Sequence, residues 1–329
     1  MGLLHAAYLT QAGLSVCLVD HRRGRAQRLR QGFRVVTSAE GTHDIEPRLP
    51  CRPARNLKPP FDLLIFTVKA FATAQAAADA AHLIGPQTAL MSLQNGLGNI
   101  EALRQHQQPA LILAAVTTSG ATLADENRVI ERGLGTISLG SVAGNHDLAR
   151  AVAALLSGAG LPAEALEDIW PTLWRKLAVN CAINPLTAML DIKNGLLLEA
   201  PVAELMGQVA QEAGAVAQAL GVSLDPAALP DTVAEVCRLT ADNISSMLQD
   251  VRAGRPTEID QINGAVVREA EKVGASAPLN MALAALLKAR EWRHERAEQQ
   301  REQIRERKRE SRREHRGDTP EPTEQETSE

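Results

Sequence analysis

Aromatic side chains, cysteines and long apolar runs are all scarce in this chain of 329 residues. Aromatic residues make up 2% of it, so few ring faces exist on which nucleic-acid bases could stack. The four cysteines lack paired or metal-ligand spacing and the eight histidines form no H-E-x-x-H pattern, which predicts reduced thiols and no metal site. The formal net charge of -4 does not indicate a nucleic-acid or membrane partner.

Signals for export or membrane attachment are also missing from the sequence. No stretch reaches 18 uninterrupted apolar residues, and the opening MGLLHAAYLTQAG has neither a basic n-region nor a small-residue cleavage site. Ala6 stands where a myristoylation signal requires Ser or Thr. The sequence therefore predicts a cytoplasmic protein, and its 45% hydrophobic and 22% charged residues suit about two globular domains.

The first half alternates short apolar strands with helical patterns. Residues 3–12 have helical periodicity that ends at Gly13, and SVCLVD follows as a strand that ends at Asp20. The segments FDLLIFTVKA, TALMSLQNGLGN, ALILAAVTTSGAT and GTISLG supply further strands. This alternation predicts an α/β fold over residues 1–162, with a doubly wound, mostly parallel sheet covered by helices on both faces.

The second half changes to long amphipathic or apolar helices. They are predicted over residues 168–190, 200–219, 230–252, 257–273 and 278–292. The small-residue stretch SGAGLPAEA at 157–165 marks the change, so we expect an all-helical domain over residues 163–292.

The last 37 residues, 293–329, form a charged tail that we expect to be disordered. Its first part alternates charge signs, which also suits an extension of the last helix into solvent. Its end, GDTPEPTEQETSE, carries five carboxylates and no basic residue. Only Trp292 lies near the basic segment, so nucleic-acid binding is not the favoured interpretation.

A polar stripe interrupts the apolar segment LWRKLAVNCAINPLTAML at 173–190. Lys176, Asn180 and Asn184 are four residues apart and share one face of a helix, because each step drifts by only about 40°. Asn is a poor helix former, and Pro185 is expected to kink or end the helix. In hydride transfer to a ketone a lysine can donate the proton to the oxygen, while neutral amides hold the substrate without cancelling the lysine charge. The stripe therefore predicts a reductase site.

Three further candidates follow predicted strands, namely Lys69, Asn95 and Ala121. In a doubly wound sheet, ligands bind outside the carboxyl ends of the strands. A lysine at a strand end is more often a solvated cap than a ligand, but three such positions together favour a ligand site.

A second unusual segment is DNISSMLQDVRAGRPTEIDQING, at 242–264. Asn243, Ser246 and Asp250 are predicted on one helical face, and Glu258 is predicted to open the next helix. A carboxylate such as Glu258 could orient an ammonium or bind cofactor hydroxyls. The alternative is that Glu258 only complements a helix dipole after Pro256, and the residues themselves leave both interpretations open.

These segments resemble the ketopantoate reductase (2-dehydropantoate 2-reductase) family over about residues 2–290. The match rests on LWRKLAVNCAINPLTAML, DNISSMLQDVRAGRPTEIDQING, LQNGLGN and LLIFTVKA, in that family's order. The resemblance implies a Rossmann domain followed by a helical domain, and NADPH-dependent reduction of the 2-oxo acid to (R)-pantoate in pantothenate and coenzyme A synthesis. It also implies a cytoplasmic protein that in many members is a homodimer.

The resemblance also implies residue roles. Lys176 is the implied proton donor. The implied substrate-binding residues are Asn95, Asn180, Asn184, Asn194, Asn243 and Ser246. The implied cofactor-binding residues are Gly2, Lys69, Asn95, Ala121 and Glu258.

One departure concerns the amino-terminal end. The family opens with a strand and a Gly-x-Gly-x-x-Gly turn, and this chain starts at what matches the last glycine, Gly2. We expect a misplaced start codon, and weak or absent NADPH binding if the protein begins at Met1. Asp20 favours a free ribose hydroxyl, as in NAD enzymes, whereas His21, Arg22, Arg23 and Lys69 could neutralise a 2′-phosphate. The resemblance favours NADPH.

Two alternatives stay open at this stage. One is a related reductase that acts on a different 2-oxo acid, because the stripe specifies the chemistry better than the substrate. The other is a truncated, non-catalytic protein that acts through its basic tail.

Overall fold

The computed structural model describes residues 1–37, 45 and 49–316. The first half contains ten strands and five helices within that part of the chain. In chain order they are α1 (Gly2–Gln11), β1 (Leu18–Val19), α2 (Arg23–Arg30), β2 (Arg34–Val36), β3 (Cys51–Arg52), β4 (Leu63–Phe66), α3 (Thr73–Ala80), β5 (Ala89–Ser92), α4 (Asn99–Leu103), β6 (Ile112–Thr117), β7 (Gly120–Asp125), β8 (Arg128–Gly133), β9 (Ile137–Ser141), α5 (His146–Gly158) and β10 (Ala163–Ala165).

The main sheet has five strands in the order β10-β9-β6-β5-β4. Strands β4, β5 and β6 run parallel to each other, β9 is antiparallel to β6, and β10 is parallel to β9. Two smaller sheets flank it, a parallel pair β1-β3 and a three-stranded sheet β2-β8-β7. The arrangement is the predicted Rossmann-like α/β fold, with the sheet divided into three parts.

Side chains of the main sheet alternate between two buried layers. Met91 and Leu113 point to the layer formed with α5, whereas Leu90 and Ile112 point to the layer that includes Ala77 of α3 and parts of α4. Period-two alternation in β5 and β6 therefore covers the sheet with helices on both faces. Helix α1 packs at the side, where Leu4 joins a third cluster formed with α2, β2 and β3.

The second half is helical. It contains α6 (Trp170–Leu190), α7 (Val202–Ala219), α8 (Leu229–Leu239), α9 (Ser246–Arg252), α10 (Asn263–Lys272) and α11 (Pro278–Arg316). Helix α6 is the centre of this half, since Leu177, Ala178 and Cys181 are buried among α7, α8, α9 and α11.

The prediction that Pro185 kinks or ends its helix is wrong as regards an end, because α6 continues through Pro185 to Leu190. Proline lacks the N–H that would bond to the carbonyl four residues earlier, which is that of Cys181. The buried side chain of Asn263 replaces it, since its Nδ2 donates to the Cys181 carbonyl oxygen at 3.0 Å. A tertiary hydrogen bond thus satisfies the carbonyl that the proline leaves free.

Two predicted helices are also corrected. The helix predicted over 230–252 is two helices, α8 and α9, because Ser245 interrupts the pattern as the cap of α9 and accepts a hydrogen bond from the Leu248 N–H at 3.1 Å. The helix predicted over 257–273 starts only at Asn263. Glu258 therefore lies in the turn before α10 and does not open a helix.

The tail prediction is corrected in its first part. Helix α11 extends to Arg316, so residues 293–316 are helical and not disordered. In the sequence, opposite charges three and four residues apart favour a helix over this stretch. Residues 317–329 lie outside the described residues. Among the helices that the structure describes, none is long and apolar enough to cross a membrane.

Candidate active site

Lys176 lies two turns into α6, and its ammonium reaches the carboxyl end of β6. Its Nζ donates a hydrogen bond to the main-chain oxygen of Thr117 at 2.7 Å. Burial lowers the pKa of Lys176 to about 8, although the charge of Glu258 acts in the opposite direction. The ammonium therefore holds a proton at neutral pH and releases it more readily than an exposed lysine does.

The two asparagines of the stripe follow Lys176 along the same helix. Asn180 is half-buried and Asn184 is 5% exposed. Neither side-chain amide has a hydrogen-bond partner among residues 1–37, 45 and 49–316. Their amide atoms keep some contact with solvent, because neither amide is among the buried polar atoms without a partner in the described part of the chain, so both groups are available for a polar ligand.

Glu258 connects the turn before α10 to the sheet half. Its side chain is buried, and its Oε1 accepts the backbone N–H of Ala70 at 2.9 Å. Its Oε2 accepts from Lys69 Nζ and from Asn95 Nδ2, both at 3.4 Å. These contacts favour the ligand-site interpretation of Glu258 over the helix-dipole one, because no helix starts at this residue.

Lys69 follows β4 and forms an ion pair with Asp250 of α9, with 2.6 Å between Nζ and Oδ2. The other oxygen of Asp250 accepts Arg255 Nε at 3.0 Å. Burial acts against the charge on Lys69, but Glu258 and Asp250 outweigh it and raise the pKa of Lys69 above its ordinary value. Two carboxylates of the helical half thus hold a lysine of the sheet half.

The loop after β5 is fitted closely to the helical half. Gly96 has a φ of +78°, and a Cβ there would lie 2.3 Å from the carbonyl oxygen of Gln261. The next residue, Leu97, donates its N–H to the same oxygen at 2.9 Å. Only glycine fits this position, and the loop thereby brings Asn95 next to Glu258.

Asn194 and Asn243 lie together near the far end of the stripe. The Asn194 N–H donates to the Asn243 carbonyl at 3.0 Å, and Asn194 Nδ2 donates to Thr240 Oγ1 at 2.9 Å. The buried Oδ1 of Asn194 has no partner among the described residues. Asn243 precedes α9, so the prediction that it lies on the same helical face as Ser246 is wrong.

Ser246 is exposed at the first residue of α9. The adjacent Ser245 is buried and accepts Thr187 Oγ1 at 2.7 Å, which packs the start of α9 against α6 one turn beyond Asn184. Ser245 therefore fixes the position of the first turn of α9, and with it Ser246, relative to α6.

Ala121 lies in one of the two smaller sheets. It is half-buried in β7 at a register irregularity and packs on the cluster beneath α1. No described hydrogen bond links it to Lys69, Asn95 or Glu258. Its cofactor role stays a prediction.

The start of α1 suits the phosphates of a dinucleotide. A Cβ at Gly2 would lie 2.5 Å from Thr67 Oγ1, so the helix can approach β4 this closely only with glycine there. The helix has no side-chain cap and no acidic residue in its first turn. The charges of Lys69 and Arg25 act on the Met1 amine and help to lower its pKa, after the larger effect of burial. The first turn of α1 is therefore an uncapped helix start without an acidic side chain, as anion binding at a helix N-terminus requires.

Sequence reasoning missed two contributors to this site. Thr117 contributes its main-chain carbonyl oxygen. Every residue has this group, so the sequence gives no signal for it. Asn263 was noted only as part of a motif. Its Nδ2 donates to the Cys181 carbonyl oxygen on α6, the helix that carries the stripe, and to Asn280 Oδ1 at 3.0 Å. Only the conflict between an uninterrupted apolar pattern and Pro185 could have indicated that such a donor was needed.

Two family models match this chain. The model described as "Ketopantoate reductase PanE/ApbA" matches residues 1–144, and "Ketopantoate reductase PanE/ApbA C terminal" matches residues 168–291. A 2-dehydropantoate 2-reductase of Vibrio cholerae is 38% identical over 236 residues, which is 72% of this chain and 80% of that protein. One of Archaeoglobus fulgidus is 35% identical over 88% of this chain and 95% of its own length.

Solved structures share the fold. A ternary structure of D-mandelate dehydrogenase with NADH and anilino(oxo)acetate is similar with a TM-score of 0.84 and 26% identity, over 90% of this chain and 96% of that one. A ketopantoate reductase of Ralstonia eutropha JMP134 is similar with a TM-score of 0.79 and 28% identity, over 88% and 95% of the two chains.

Proposed function

The chain belongs to the ketopantoate reductase family, and we propose that it reduces 2-dehydropantoate to (R)-pantoate with NADPH at the site around Lys176. The observation that carries this proposal is the position of the Lys176 ammonium. It bonds to Thr117 at the carboxyl end of β6 and is followed along α6 by two amides without partners among the described residues.

Lys176 is the proposed general acid. NADPH, when bound, supplies the hydride that adds to C2 of the oxo acid. As the C=O π bond breaks, its electron pair moves to the oxygen, and Nζ of Lys176 donates the proton that completes the hydroxyl group. A pKa of about 8 suits this role, because the group is mostly protonated at neutral pH and still transfers its proton readily.

The amides of Asn180 and Asn184 are the proposed substrate ligands. Each amide provides two N–H donors and one oxygen acceptor, so they can hold the carboxylate and the hydroxyl group of ketopantoate without cancelling the charge of Lys176. Asn194, Asn243 and Ser246 extend the proposed substrate site at the far end of the stripe, where the first two are already bonded to each other.

Glu258 and Asn95 are proposed to link the cofactor side to the substrate side. Glu258 stabilises the Lys176 ammonium electrostatically and orients Asn95 through its 3.4 Å contact. The start of α1 at Gly2 and the ammonium of Lys69 are proposed to hold the dinucleotide phosphates.

A second candidate substrate class comes from the D-mandelate dehydrogenase structure, whose ligand is an anilino(oxo)acetate. An aryl 2-oxo acid would share the carboxylate and the ketone of ketopantoate. It would leave more of the Asn180 and Asn184 amides without partners, because an aromatic ring offers no hydrogen bond. We therefore favour ketopantoate.

The experiment compares wild type, Lys176→Ala and the control Lys272→Ala, a substitution at an exposed lysine that pairs with Glu269. NADPH oxidation is followed with ketopantoate and with the oxo acid that corresponds to mandelate. We expect kcat to fall at least about 100-fold in Lys176→Ala, while NADPH binding stays within about threefold and the control is unchanged. Turnover of ketopantoate in Lys176→Ala within about threefold of wild type would contradict the assignment. Faster turnover of the aryl acid would favour the second candidate.

The remaining proposals concern organisation. We propose a cofactor domain over residues 1–162 and a helical domain over residues 163–292, with the active site between them. We also propose a cytoplasmic protein whose partners are small molecules, and a homodimer, as the family resemblance implies. Gel filtration with light scattering tests the last point.

A further inference from the structure

The connection from β6 to β7 and the connection from β8 to β9 run side by side. Residues 118–119 form the first, directly after Thr117, and residues 134–136 form the second. A Cβ at Gly135 would lie 2.2 Å from Thr118 Oγ1 and 2.7 Å from the carbonyl carbon of Thr118. The two connections can therefore approach each other this closely only with glycine at that position.

Side-chain hydroxyl groups tie the first connection to the second. Ser119 Oγ donates to the Gly135 carbonyl oxygen and accepts the Gly135 N–H, each at 3.0 Å. Thr118 Oγ1 accepts the Thr136 N–H at 3.0 Å, and the Thr118 N–H donates to the Thr136 carbonyl oxygen at 3.1 Å. The Ser119 N–H also donates to Thr117 Oγ1 at 3.0 Å. Both residues that follow Thr117 are thus held in place.

The peptide group between Thr117 and Thr118 carries this tie to the proposed proton donor. In a planar trans peptide group the N–H and the C=O point in opposite directions. The N–H of this group bonds to Thr136, so its carbonyl oxygen points away from the second connection, and there it accepts Lys176 Nζ at 2.7 Å. Rotation of the peptide group would withdraw the acceptor from the lysine.

The Lys176 ammonium depends on this acceptor for its position. Among residues 1–37, 45 and 49–316, the Thr117 carbonyl oxygen is its one hydrogen-bond partner. A lysine ammonium ends a flexible four-carbon stem, so a proton donor of this kind keeps a productive position only when a fixed group holds it.

We propose that Ser119 is a positioning residue for the reduction: its hydroxyl group fixes the connection after β6 and thereby holds the Thr117 carbonyl oxygen where it orients the Lys176 ammonium. The role is indirect, because Ser119 acts on the lysine through a neighbouring peptide group. The inference rests on the proposed function, since it concerns the proton donor of that reaction.

The test compares the full chain as wild type, Ser119→Ala and Ser119→Thr in steady-state reduction of ketopantoate with NADPH, with a pH profile of kcat for each. The matched control is Ser157→Ala. Ser157 Oγ makes the same pair of contacts to a single residue, since it donates to the Ala163 carbonyl oxygen at 3.0 Å and accepts the Ala163 N–H at 3.1 Å. That pair lies at the edge strand β10 of the main sheet.

We expect kcat to fall about tenfold in Ser119→Ala, while KM for ketopantoate and Kd for NADPH stay within about threefold. The fall is smaller than the roughly 100-fold cost of a 1 Å misplacement, because Thr118 still bonds to Thr136. A carbonyl acceptor favours the charged ammonium, so a weaker bond also moves the alkaline fall of kcat to lower pH. The charge of Glu258, which also acts on Lys176, is the same in this variant.

The other variants separate positioning from a general loss of structure. Ser119→Thr keeps a hydroxyl group and should recover kcat to within about threefold of wild type, and Ser157→Ala should leave kcat and its pH profile unchanged. An unchanged kcat in Ser119→Ala, or a lower kcat with an unmoved pH profile, would overturn the inference. If Ser119→Ala fails to bind NADPH, Thr118→Val, which removes the neighbouring hydroxyl group, must lower kcat and move the pH profile in the same direction.

The two levels of proposal fail differently. If Lys176→Ala loses turnover but the substitutions at Ser119 and Thr118 leave kcat unchanged, only the positioning role is lost. If Lys176→Ala keeps the turnover of wild type, both the proton-donor assignment and this inference are overturned.

Discussion

The hydrogen bond from Asn263 to the Cys181 carbonyl should be energetically coupled to Pro185. Asn263 is fully buried, and its Nδ2 donates to Cys181 and to Asn280 Oδ1, each at 3.0 Å. Asn263→Ala leaves two buried oxygens short of a donor, and each such loss costs about 1–3 kcal/mol. We therefore expect the free energy of unfolding to fall by about 2–5 kcal/mol, including a small cavity.

Pro185→Ala changes this result in a defined way, because the substituted alanine supplies the N–H that the Cys181 carbonyl lacks. In that background, Asn263→Ala should cost about 1 kcal/mol less than in wild type, and the difference is the coupling energy of the double-mutant cycle. Urea unfolding is followed by far-UV circular dichroism and by the fluorescence of Trp170 and Trp174 on α6. Asn127→Ala, at an exposed turn, serves as the control and should change stability by less than about 0.5 kcal/mol. Additive costs within experimental error would refute the claim that Asn263 compensates for the proline.

Two further predictions concern the active site. The rate of ketopantoate reduction should fall as pH rises through about 8, because Lys176 loses the proton that it donates. Glu258→Gln should move this fall to lower pH, because the charge of Glu258 raises the pKa of Lys176. A pH profile of kcat measures both effects, and an unchanged profile in Glu258→Gln would contradict the coupling between the two residues. Asp250→Asn should weaken the hold on Lys69 and raise KM for NADPH several-fold with a smaller effect on kcat, because it removes the negative charge 2.6 Å from Nζ and leaves one oxygen for both Lys69 and Arg255. Steady-state kinetics measure this, with Asp242→Asn at the exposed Lys193 pair as the control. A fall in kcat alone would refute this prediction.

The sequence was sufficient where a regular period coincided with burial. The alternating apolar residues of β5 and β6 and the four-residue spacing of Lys176, Asn180 and Asn184 identify the sheet and the stripe, because both depend on local geometry that residue order dictates. Family matches over residues 1–144 and 168–291 agree with the resemblance found from these segments.

The sequence was insufficient where distant groups decide the structure. Pro185 is tolerated only because Asn263, 78 positions later by their numbers, supplies a donor. The turn at Glu258 forms because its carboxylate bonds to Ala70 and Lys69 in the other half of the chain. Neither contact has a local signature, so propensity alone extended one helix over residue 258 and led us to expect a kink or an end at Pro185 in another.

The hydrogen bond from the Ala70 N–H to Glu258 also bears on the arrangement of the two halves that the reaction needs. The proposed proton donor and substrate amides come from the helical half, whereas Asn95 and the start of α1, the proposed cofactor contacts, come from the sheet half. Neither half contains a complete set of reacting groups, and a separation of a few ångströms would break the 2.9 Å contact at Ala70. On the proposed roles, reduction therefore requires both halves to be in register.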